Sequence, residues 1–402
     1  MRTVEEHLGA VLALADPLPP VRVPVHADPA TVLAADVVAR YPVPPFDNSA
    51  MDGFAVRSDD VATTPCMLEV VGDVPAGSAS DLTLAAGQAI RIMTGSPVPA
   101  GADAVVPVED TDQEPGDHPL PDRVEVRAAV AAGRHIRRRG DDIDVGAAVL
   151  ASGSRATPAA AAAASSVGLG EWLVHPRPRV LVVATGTELV APGEPLGAGQ
   201  IPDSNGLLLT GLVEQFGGEV ASVLQVGDDQ QDFRDALAGA GRVDLVVTSG
   251  GVSAGAFEVV RQVTSGSVEF VKVAMQPGKP QGLGHWDIDG RRVPLLALPG
   301  NPVSVFVSAW LFVRPLVAHL AGRSPMLPVR ALPAADEWTT PSGRRQYVPV
   351  VVTPEGVRRA HALGSGSHAI ASLHLAEALA VVPAEVAQVR PGDVLEVIDT
   401  NA

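Results

Sequence analysis

Between residues 180 and 320, short apolar runs alternate with segments of helical spacing, and this alternation constrains the fold more than any other feature of the sequence. The apolar runs cover residues 180–184, 219–226, 243–248, 268–274 and 293–298. The helical segments cover residues 204–216, 230–238, 257–263 and 303–320. Asp203 or Ser204 would cap the first of these helices. Strands that alternate with helices at this spacing predict a doubly wound α/β domain with a central parallel sheet.

The regions on either side of this domain contain short β-like runs separated by Pro and Gly. In the N-terminal half these runs cover residues 89–93, 104–108 and 123–127, with an exposed hairpin loop at 112–121. Beyond residue 322, YVPVVV, ALAVVP and DVLEVI predict a small β-barrel or sandwich. We therefore expect a multidomain α/β plus β fold. Its predicted parts are an N-terminal helix that packs on the α/β domain (1–17), a connecting domain (18–45 and 138–175), a β-rich inserted domain (46–137), the α/β domain (176–322) and a C-terminal β-barrel (323–402).

Length, charge and cysteine content exclude several classes of protein. A chain of 402 residues is too long for one ordinary core, and a net charge of −17 argues against a general nucleic-acid or anionic-membrane surface. The apolar run at 303–320 is interrupted by Arg314 and Pro315, which favours a buried helix over a membrane span. A single cysteine, Cys66, suits a reducing compartment. The first sixteen residues have the pattern of an amphipathic helix rather than a signal peptide, so we expect a cytoplasmic protein.

Four loops rich in Gly, Pro and Ser occur in the α/β region, and we expect them to meet at one edge of the sheet. They are TGTEL (185–189), TSGGVSAG (248–255), QPGKP (276–280) and LPGNPVS (298–304). In an open parallel sheet, ligands bind at the carboxyl ends of the strands. In the last loop, Asn301 can cap a helix, Pro302 suits its first turn and Ser304 adds a hydroxyl. Each loop alone is also consistent with a plain turn, but four on one edge predict an anion site.

Acidic residues accompany these loops and add a second kind of site. Glu188 lies in the first loop, Asp228 and Asp229 follow the second strand, and Glu258 begins the helix after GGVSAG. Acids beside phosphate-binding loops are what Mg²⁺ requires. For Asp229 and Glu258, a simpler role at a helix N-terminus is an equally good interpretation. No Cys/His spacing typical of zinc is present, and neither GxGxxG nor a P-loop occurs, which disfavours a nicotinamide oxidoreductase.

Two further charged stretches lie outside the α/β region. FDNSAMDG (46–53) places Asp47 and Asp52 on one short segment, either as turn residues or as part of a site for a cation or a phosphorylated ligand. Residues 137–139 are three arginines followed by GDD, either a solvated basic run or an oxyanion clamp.

Eight motifs occur in order along the chain, and together they resemble the family of molybdopterin molybdenumtransferases, to which the E domain of gephyrin is related. They are FDNSAMDGFAVR, RIMTGSPVPAGADAVVPVED, RRRGDDI, TGTEL, IPDSN, TSGGVSAG, PGKP and LPGNPVS. The resemblance implies Mg²⁺-dependent insertion of molybdate into adenylylated molybdopterin with release of AMP. It also implies a homodimer with the active site between subunits, and a molybdopterin adenylyltransferase as the upstream partner.

The resemblance assigns roles to particular positions. The implied catalytic residues are Asp52 and Thr94, which would reach the pocket of the other subunit, together with Glu188 and Lys279. The implied metal ligands are Glu188, Asp228 and Glu258. The implied substrate-binding residues are Asp142, Arg139, Ser249, Gly250, Gly251, Ser253, Gln276, Pro299, Pro302 and Ser304.

The chain departs from the family pattern at three places. Gln276 replaces the first lysine of KPGKP, Glu258 replaces an aspartate, and Ala376-Glu377-Ala378 replaces Ala-Asn-Gly. A lost cation would weaken oxyanion binding by about 1.5–3 kcal/mol, because hydrogen bonds to charged groups contribute that much. Three functions therefore stay open: a transferase, a diverged protein that binds or carries molybdopterin without efficient transfer, and a scaffold of the kind gephyrin provides.

Overall fold

The computed structural model describes residues 1–77, 81–252, 259–341, 343–361 and 368–401. The chain divides into two compact units. The first contains residues 1–22, 28–34 and 173–402, and the second contains residues 23–27 and 35–172. The finer five-part division expected from the sequence stays a prediction.

The first unit is built on a six-stranded sheet. Its strands are β1 (Arg179–Thr185), β2 (Glu219–Val226), β3 (Leu245–Ser249), β4 (Val268–Lys272), β5 (Pro280–Ile288) and β6 (Arg291–Leu298). The order across the sheet is β2-β1-β3-β6-β5-β4. The first four strands in this order are parallel, as predicted, but β5 is antiparallel to both β6 and β4. The prediction of a wholly parallel sheet was therefore wrong, and the sheet is mixed.

Strand β5 has no counterpart in the predicted pattern, because two glycines interrupt its apolar sequence. A Cβ added at Gly284 would lie 2.2 Å from the carbonyl oxygen of Ser267, and one at Gly282 would lie 2.9 Å from the Cβ of Ala297. The glycines thus permit a close approach of neighbouring backbone and side chains, which is a common reason for glycine inside a strand. The same glycines remove the β-branched run by which a strand is recognised in a sequence.

Helices cover both faces of this sheet. On one face Val180 and Val182 pack in the same core as Leu209 and Trp310, and on the other Leu181 packs with residues of the remaining helices. This alternation along β1 is expected for a strand buried on both faces. The helices of the first unit are Val4–Leu12, Asn205–Gln215, Gln230–Ala238, Val259–Val263, Pro302–Ser308 and Arg314–Leu320, with a π-helical turn at Ala309–Val313 and a 3₁₀ turn at Ile370–Leu375.

The helical segment Pro302–Leu320 is long and apolar enough to cross a membrane, but 89% of its most apolar 18-residue window is buried inside the protein. The Trp310 ring packs edge-on against Phe216, with 5.0 Å between ring centroids. The Phe312 ring packs edge-on against His7 of the N-terminal helix at 4.6 Å. The prediction of a buried core helix is confirmed.

The C-terminal part of the first unit forms a second sheet. The order across it is Met275–Gln276, Arg345–Thr353, Ala378–Val382, Val394–Asp399 and Val329–Pro333, with Gly356–Arg359 paired to the second of these. Gln276 is opposite Gln346 in a parallel pair, so this sheet reaches directly to the QPGKP loop. The predicted strands are present, while closure into a barrel stays a prediction. The other strands of the first unit are Asp28–Leu33, Leu189–Val190, Ile201–Pro202, Trp338–Thr339 and Gln388–Val389.

The second unit contains a five-stranded sheet, and the predicted apolar runs fall on its strands. The order across it is Ala104–Pro107, Gly53–Val56, Gln88–Ile92, Cys66–Val74 and Arg123–Val126. Residues 112–120 are mostly exposed, as predicted, and an antiparallel bridge between Thr111 and Val126 closes their loop. The remaining elements are short strands at Val37–Val38, Asn48–Ser49, Ile136–Arg137, Ala148–Leu150 and Arg155–Ala156, 3₁₀ turns at Ser58–Val61 and Val108–Asp110, and the helix Pro158–Ser166. Strands Val21–Pro24 and Glu171–His175 lie at the unit boundaries.

Candidate functional site

A cavity of about 970 Å³ opens at the edge of the mixed sheet where the parallel strands end. All four Gly-rich loops contribute to its wall, which confirms their predicted common placement. The loop QPGKP lies between β4 and β5, and because β4 runs in the same direction as the parallel strands, this loop also follows the carboxyl end of a strand. Ten residues predicted for the site line the cavity: Glu188, Asp228, Ser249, Gly250, Gly251, Gln276, Lys279, Pro299, Pro302 and Ser304.

The loop after β3 depends on two glycines with left-handed backbone. Gly250 has φ +90° and Gly251 has φ +65°, and a Cβ at Gly250 would lie 2.7 Å from the carbonyl oxygen of Thr185. The backbone therefore passes close to the end of β1, which only glycine allows. Ser249 is 1% exposed, and its Oγ has no hydrogen-bond partner within the described residues. The predicted site residues Ser253 and Glu258 lie outside the described residues.

The loop after β6 is held from the side by a residue that the sequence analysis did not assign to the site. Asn205 Nδ2 donates to the carbonyl oxygen of Gly300 at 2.7 Å. Asp203 Oδ1 accepts from the backbone N–H groups of Asn205 and Gly206, each at 3.0 Å, so Asp203 caps this helix and the Ser204 side chain does not. The motif IPDSN was the available signal, since it places both residues at a helix start.

Pro302 begins the next helix, as predicted, and Ser304 is buried at 3% exposure. Asn301 occupies the N-cap position, but its side chain makes no capping hydrogen bond, so that prediction was wrong. Proline at the first helical turn fixes φ near its helical value and has no N–H to satisfy, which suits Pro302 to the start of this helix.

Two cationic residues that are far apart in the sequence line the cavity. Lys279 comes from the QPGKP loop, and Arg344 comes from the start of the C-terminal sheet. Arg344 Nη1 donates to Gln276 Oε1 at 3.3 Å, beside the register pair of Gln276 and Gln346. The two partners are 68 residues apart, so the sequence contained no local signal that would identify Arg344. His368 also lines the cavity.

The acidic wall of the cavity contains Glu188 and Asp228. Thr187 Oγ1 donates to Asp228 Oδ2 at 2.8 Å, which orients that carboxylate. Asp229 is instead the N-cap of the following helix, because its Oδ1 accepts from the N–H groups of Gln231 and Asp232. Its simpler interpretation as a helix-start residue is therefore correct.

The donor set fits Mg²⁺ only together with a phosphorylated ligand. No group of three His, Cys, Asp or Glu side chains suited to a metal ion occurs in the described part of the chain. Mg²⁺, however, usually takes one or two carboxylates and completes its shell with water and phosphate oxygens. Glu188 and Asp228 meet that requirement.

In the second unit, Asp52 and Thr94 form a hydrogen-bonded pair. The Thr94 backbone N–H and hydroxyl both donate to Asp52 Oδ1, at 2.6 and 2.7 Å. The bond from the backbone N–H, followed by that from the hydroxyl, lowers the pKa of the Asp52 carboxyl below its ordinary value. The pair lines a second cavity of about 530 Å³. The structure therefore places the two predicted residues in contact, with the Asp52 carboxyl in its ionised form.

The arginine cluster of the second unit donates hydrogen bonds to Asp47, in the loop that precedes Asp52. Arg138 Nη1 donates to Asp47 Oδ2 at 2.6 Å, and the Arg139 N–H donates to Asp47 Oδ1 at 2.8 Å. These bonds, the backbone one first, lower the pKa of Asp47. Asp142 is exposed, and neither it nor Arg139 is among the described residues that line the two cavities. The structure thus supports a structural role for Asp47, whereas the binding roles of Asp142 and Arg139 stay predictions.

The fold and the first cavity define an α/β protein with a cavity of Gly-rich loops and two cationic residues at the edge of its sheet, and with a β-rich region before the α/β domain and another after it. Three family models match in that order. "MoeA N-terminal region (domain I and II)" matches residues 2–168, "Probable molybdopterin binding domain" matches residues 181–319, and "MoeA C-terminal region (domain IV)" matches residues 331–400.

Whole-length relatives agree with these matches. Molybdopterin molybdenumtransferase 2 of Mycobacterium tuberculosis is 42% identical over 413 residues, covering 99% of this chain and 100% of the relative. The molybdopterin molybdenumtransferase of Synechococcus elongatus is 38% identical and covers 85% of each chain. A molybdopterin biosynthesis MoeA protein of Pyrococcus horikoshii has a similar structure, with a TM-score of 0.80, 29% identity and coverage of 99% and 98%. The chain belongs to the MoeA family.

Proposed function

We propose that this chain is a cytoplasmic molybdopterin molybdenumtransferase, which inserts molybdate into adenylylated molybdopterin and releases AMP in the presence of Mg²⁺. The names of its relatives supply the reaction class. The observation that carries the proposal is the first cavity, which Lys279 and Arg344 line together with Glu188 and Asp228. Such a cavity can hold an oxyanion and a divalent cation side by side.

The proposed chemistry requires electrostatic stabilisation and no covalent intermediate on the protein. Water attacks the phosphoanhydride, whose P–O bond breaks so that one phosphate stays on the pterin and the other leaves as AMP; at molybdenum, the two dithiolene thiols form two Mo–S bonds and displace one oxygen, which leaves as water with the two thiol protons. Lys279 and Arg344 would bind the molybdate oxyanion and stabilise the negative charge that builds on the departing phosphate, and Ser249 would add a hydroxyl contact. Mg²⁺ held by Glu188 and Asp228 would neutralise phosphate charge when bound.

The position of Arg344 supports the transferase over a protein that only binds or carries the cofactor. Gln276 removes one cation from the QPGKP loop, which is the feature that favours the carrier. Arg344 Nη1 lies 3.3 Å from Gln276 Oε1, so a guanidinium occupies the neighbourhood where the loop lost its lysine. We infer that the anion site keeps two cations, one of them from the C-terminal sheet.

The homodimer, and the supply of substrate by a molybdopterin adenylyltransferase, belong to the same proposal. Asp52 and Thr94 lie in a different unit from Lys279. In the proposed dimer they would complete the cavity of the other subunit, where the ionised Asp52 carboxylate would help to orient the phosphorylated substrate.

The test is AMP release from adenylylated molybdopterin, measured with Mg²⁺ and with or without molybdate. The wild type is compared with Lys279→Ala and with Gln276→Lys. Release that depends on molybdate and is lost in Lys279→Ala would establish the transferase. Tight binding of the pterin without release in the wild type, with release gained in Gln276→Lys, would instead show a carrier. Neither binding nor release would reject the proposal.

A further inference from the structure

The cavity beside Asp52 and Thr94 has one wall that belongs to no regular element. This wall is the exposed loop of residues 112–121, the wall loop. Residues of the wall loop that line the cavity are Gln113, Glu114, Pro115, Gly116, Asp117, His118, Pro119 and Pro121. The shape of the cavity therefore depends on how this loop is held.

The wall loop is held at its base and at its centre. At the base, Asp112 Oδ1 accepts from the N–H of Glu125 at 2.9 Å, and the N–H of Gln113 donates to Thr111 Oγ1 at 3.0 Å. At the centre, Arg91 Nη1 donates to the carbonyl oxygen of His118 at 2.7 Å. A contact at the centre of an exposed loop restricts its motion more than contacts at the base do, because the base is already fixed by strand pairing.

Arg91 is itself held rigidly. Its Nε and Nη2 donate to the two carboxylate oxygens of Asp73 at 3.1 and 2.6 Å, which leaves Nη1 for His118. This bidentate geometry fixes the plane of the guanidinium, and lysine cannot reproduce it. Arg91 is 19% exposed at its side chain and lies on the strand that leads to Thr94. One side chain thus connects the wall loop to the strand that places the Asp52 partner.

We infer that Arg91 is a positioning residue, which holds the wall loop over Asp52 and Thr94 so that the cavity keeps the shape that binds the substrate. This inference rests on the proposed function. An ordinary stabilising ion pair is the competing explanation, but partly exposed ion pairs contribute little to stability. A pair of that kind would not need the third bond to a loop carbonyl.

The experiment compares Arg91→Lys and Arg91→Gln with the wild type. Arg57→Gln is the control, because Arg57 makes one long ion-pair contact in the same unit, with Asp60 at 3.9 Å, and does not line the cavity. Three quantities are measured: the thermal midpoint, the amide hydrogen exchange of residues 112–120, and the KM and kcat for adenylylated molybdopterin. Lysine can keep an ion pair with Asp73 but cannot hold the His118 carbonyl as well.

We expect Arg91→Lys to keep the thermal midpoint of the wild type, while amide hydrogen exchange in the wall loop accelerates. KM should rise about tenfold and kcat should stay within twofold, because the variant loses one charge-assisted hydrogen bond that positions a wall of the binding cavity. A lysine variant with unchanged KM would overturn the inference and leave Arg91 a structural residue. Direct binding of the adenylylated pterin separates the two proposals. If the wild type binds it without turnover and Arg91→Lys binds about tenfold more weakly, the positioning role holds and the transferase proposal fails.

Discussion

At the residue scale, Gln276 and Arg344 show how a lost charge can be replaced from a distant part of the chain. Arg344 Nη1 donates to Gln276 Oε1, and both line the cavity that contains Lys279. If the anion site uses this guanidinium, its removal should cost a charge-assisted hydrogen bond. Substitution of Gln276 by lysine should then make Arg344 less important, because the two cations would serve the same anion.

The corresponding prediction is a double-mutant cycle. Arg344→Ala should raise the KM for molybdate about 10- to 100-fold, since a hydrogen bond to a charged group contributes about 1.5–3 kcal/mol. In the Gln276→Lys background the same substitution should raise it several-fold less. Arg358→Ala is the control, because this arginine of the same sheet is half exposed and makes one long contact, 4.0 Å, with Asp336. Equal losses in both backgrounds would show that Arg344 acts independently of position 276.

The site residues that could be predicted belong to local sequence patterns, and those that were missed depend on long-range contacts. Positions within the four loops could be predicted, since a strand end followed by Gly, Pro and Ser is a local pattern. Arg344 and Asn205 were missed because their roles depend on contacts with Gln276 and Gly300, 68 and 95 residues away. Such contacts depend on how two sheets and a helix pack, and no local spacing encodes them.

At the element scale, glycine has opposite consequences in a strand and in a helix. A Cβ at Gly284 in β5 would lie 2.2 Å from the Ser267 carbonyl oxygen, and backbone cannot yield as a flexible side chain can. Gly9 lies within the helix Val4–Leu12, and nothing lies within 4 Å of an added Cβ. Alanine should therefore be excluded at one position and favoured at the other.

We predict that Gly284→Ala lowers the unfolding free energy by about 1–3 kcal/mol, the usual cost of overpacking. Gly9→Ala should raise it by about 0.5–1 kcal/mol, because glycine in a helix interior is that much less favourable than alanine. Urea denaturation of both variants against the wild type measures the pair. A neutral Gly284→Ala would mean that β4 and β5 separate easily at this point.

The same contrast explains which elements the sequence predicts. Strands β1, β3 and β6 are continuous apolar runs and were identified to within two residues at each end, as was the buried helical segment that Pro302 begins. Strand β5 was missed, because Gly282 and Gly284 are there for close packing against neighbours that the sequence does not reveal. Its direction made the sheet mixed, a property that only pairing with β6 and β4 determines.

At the scale of the whole molecule, the N-terminal helix couples stability to pH through His7. The side chain is 1% exposed and packs against Phe312, and burial, followed by the charge of Arg2, lowers the pKa of His7 from 6.5 to about 4. The folded protein therefore holds His7 neutral at pH values where the unfolded chain protonates it. Between about pH 6.5 and 4 the unfolded chain binds more protons, so the unfolding free energy falls as the pH is lowered.

We predict that the His7 contribution falls by about 2 kcal/mol between pH 7 and pH 5, from the shift in its pKa. The His7→Leu variant should lose this part of the pH dependence, whereas a His374→Leu control, at an exposed position, should keep it. Urea denaturation at the two pH values gives the comparison. A variant with the same pH dependence as the wild type would show that His7 takes up its proton without cost in the folded state.

The proposed dimer makes a prediction that no single subunit can satisfy. If Asp52 and Thr94 complete the cavity of the other subunit, a heterodimer of Asp52→Asn and Lys279→Ala has one site with both defects and one site with neither. The purified heterodimer, obtained by co-expression with two different tags, should therefore keep about half of the wild-type rate of AMP release, although each homodimer is inactive.

The matched control pairs Asp52→Asn with Thr94→Ala. Thr94 donates to Asp52 Oδ1 within one unit, so both residues would enter the same site. Each site of that heterodimer therefore carries one defect, and no activity should return. Recovery in neither heterodimer would mean that each site is built from a single chain, and the shared site would have to be abandoned.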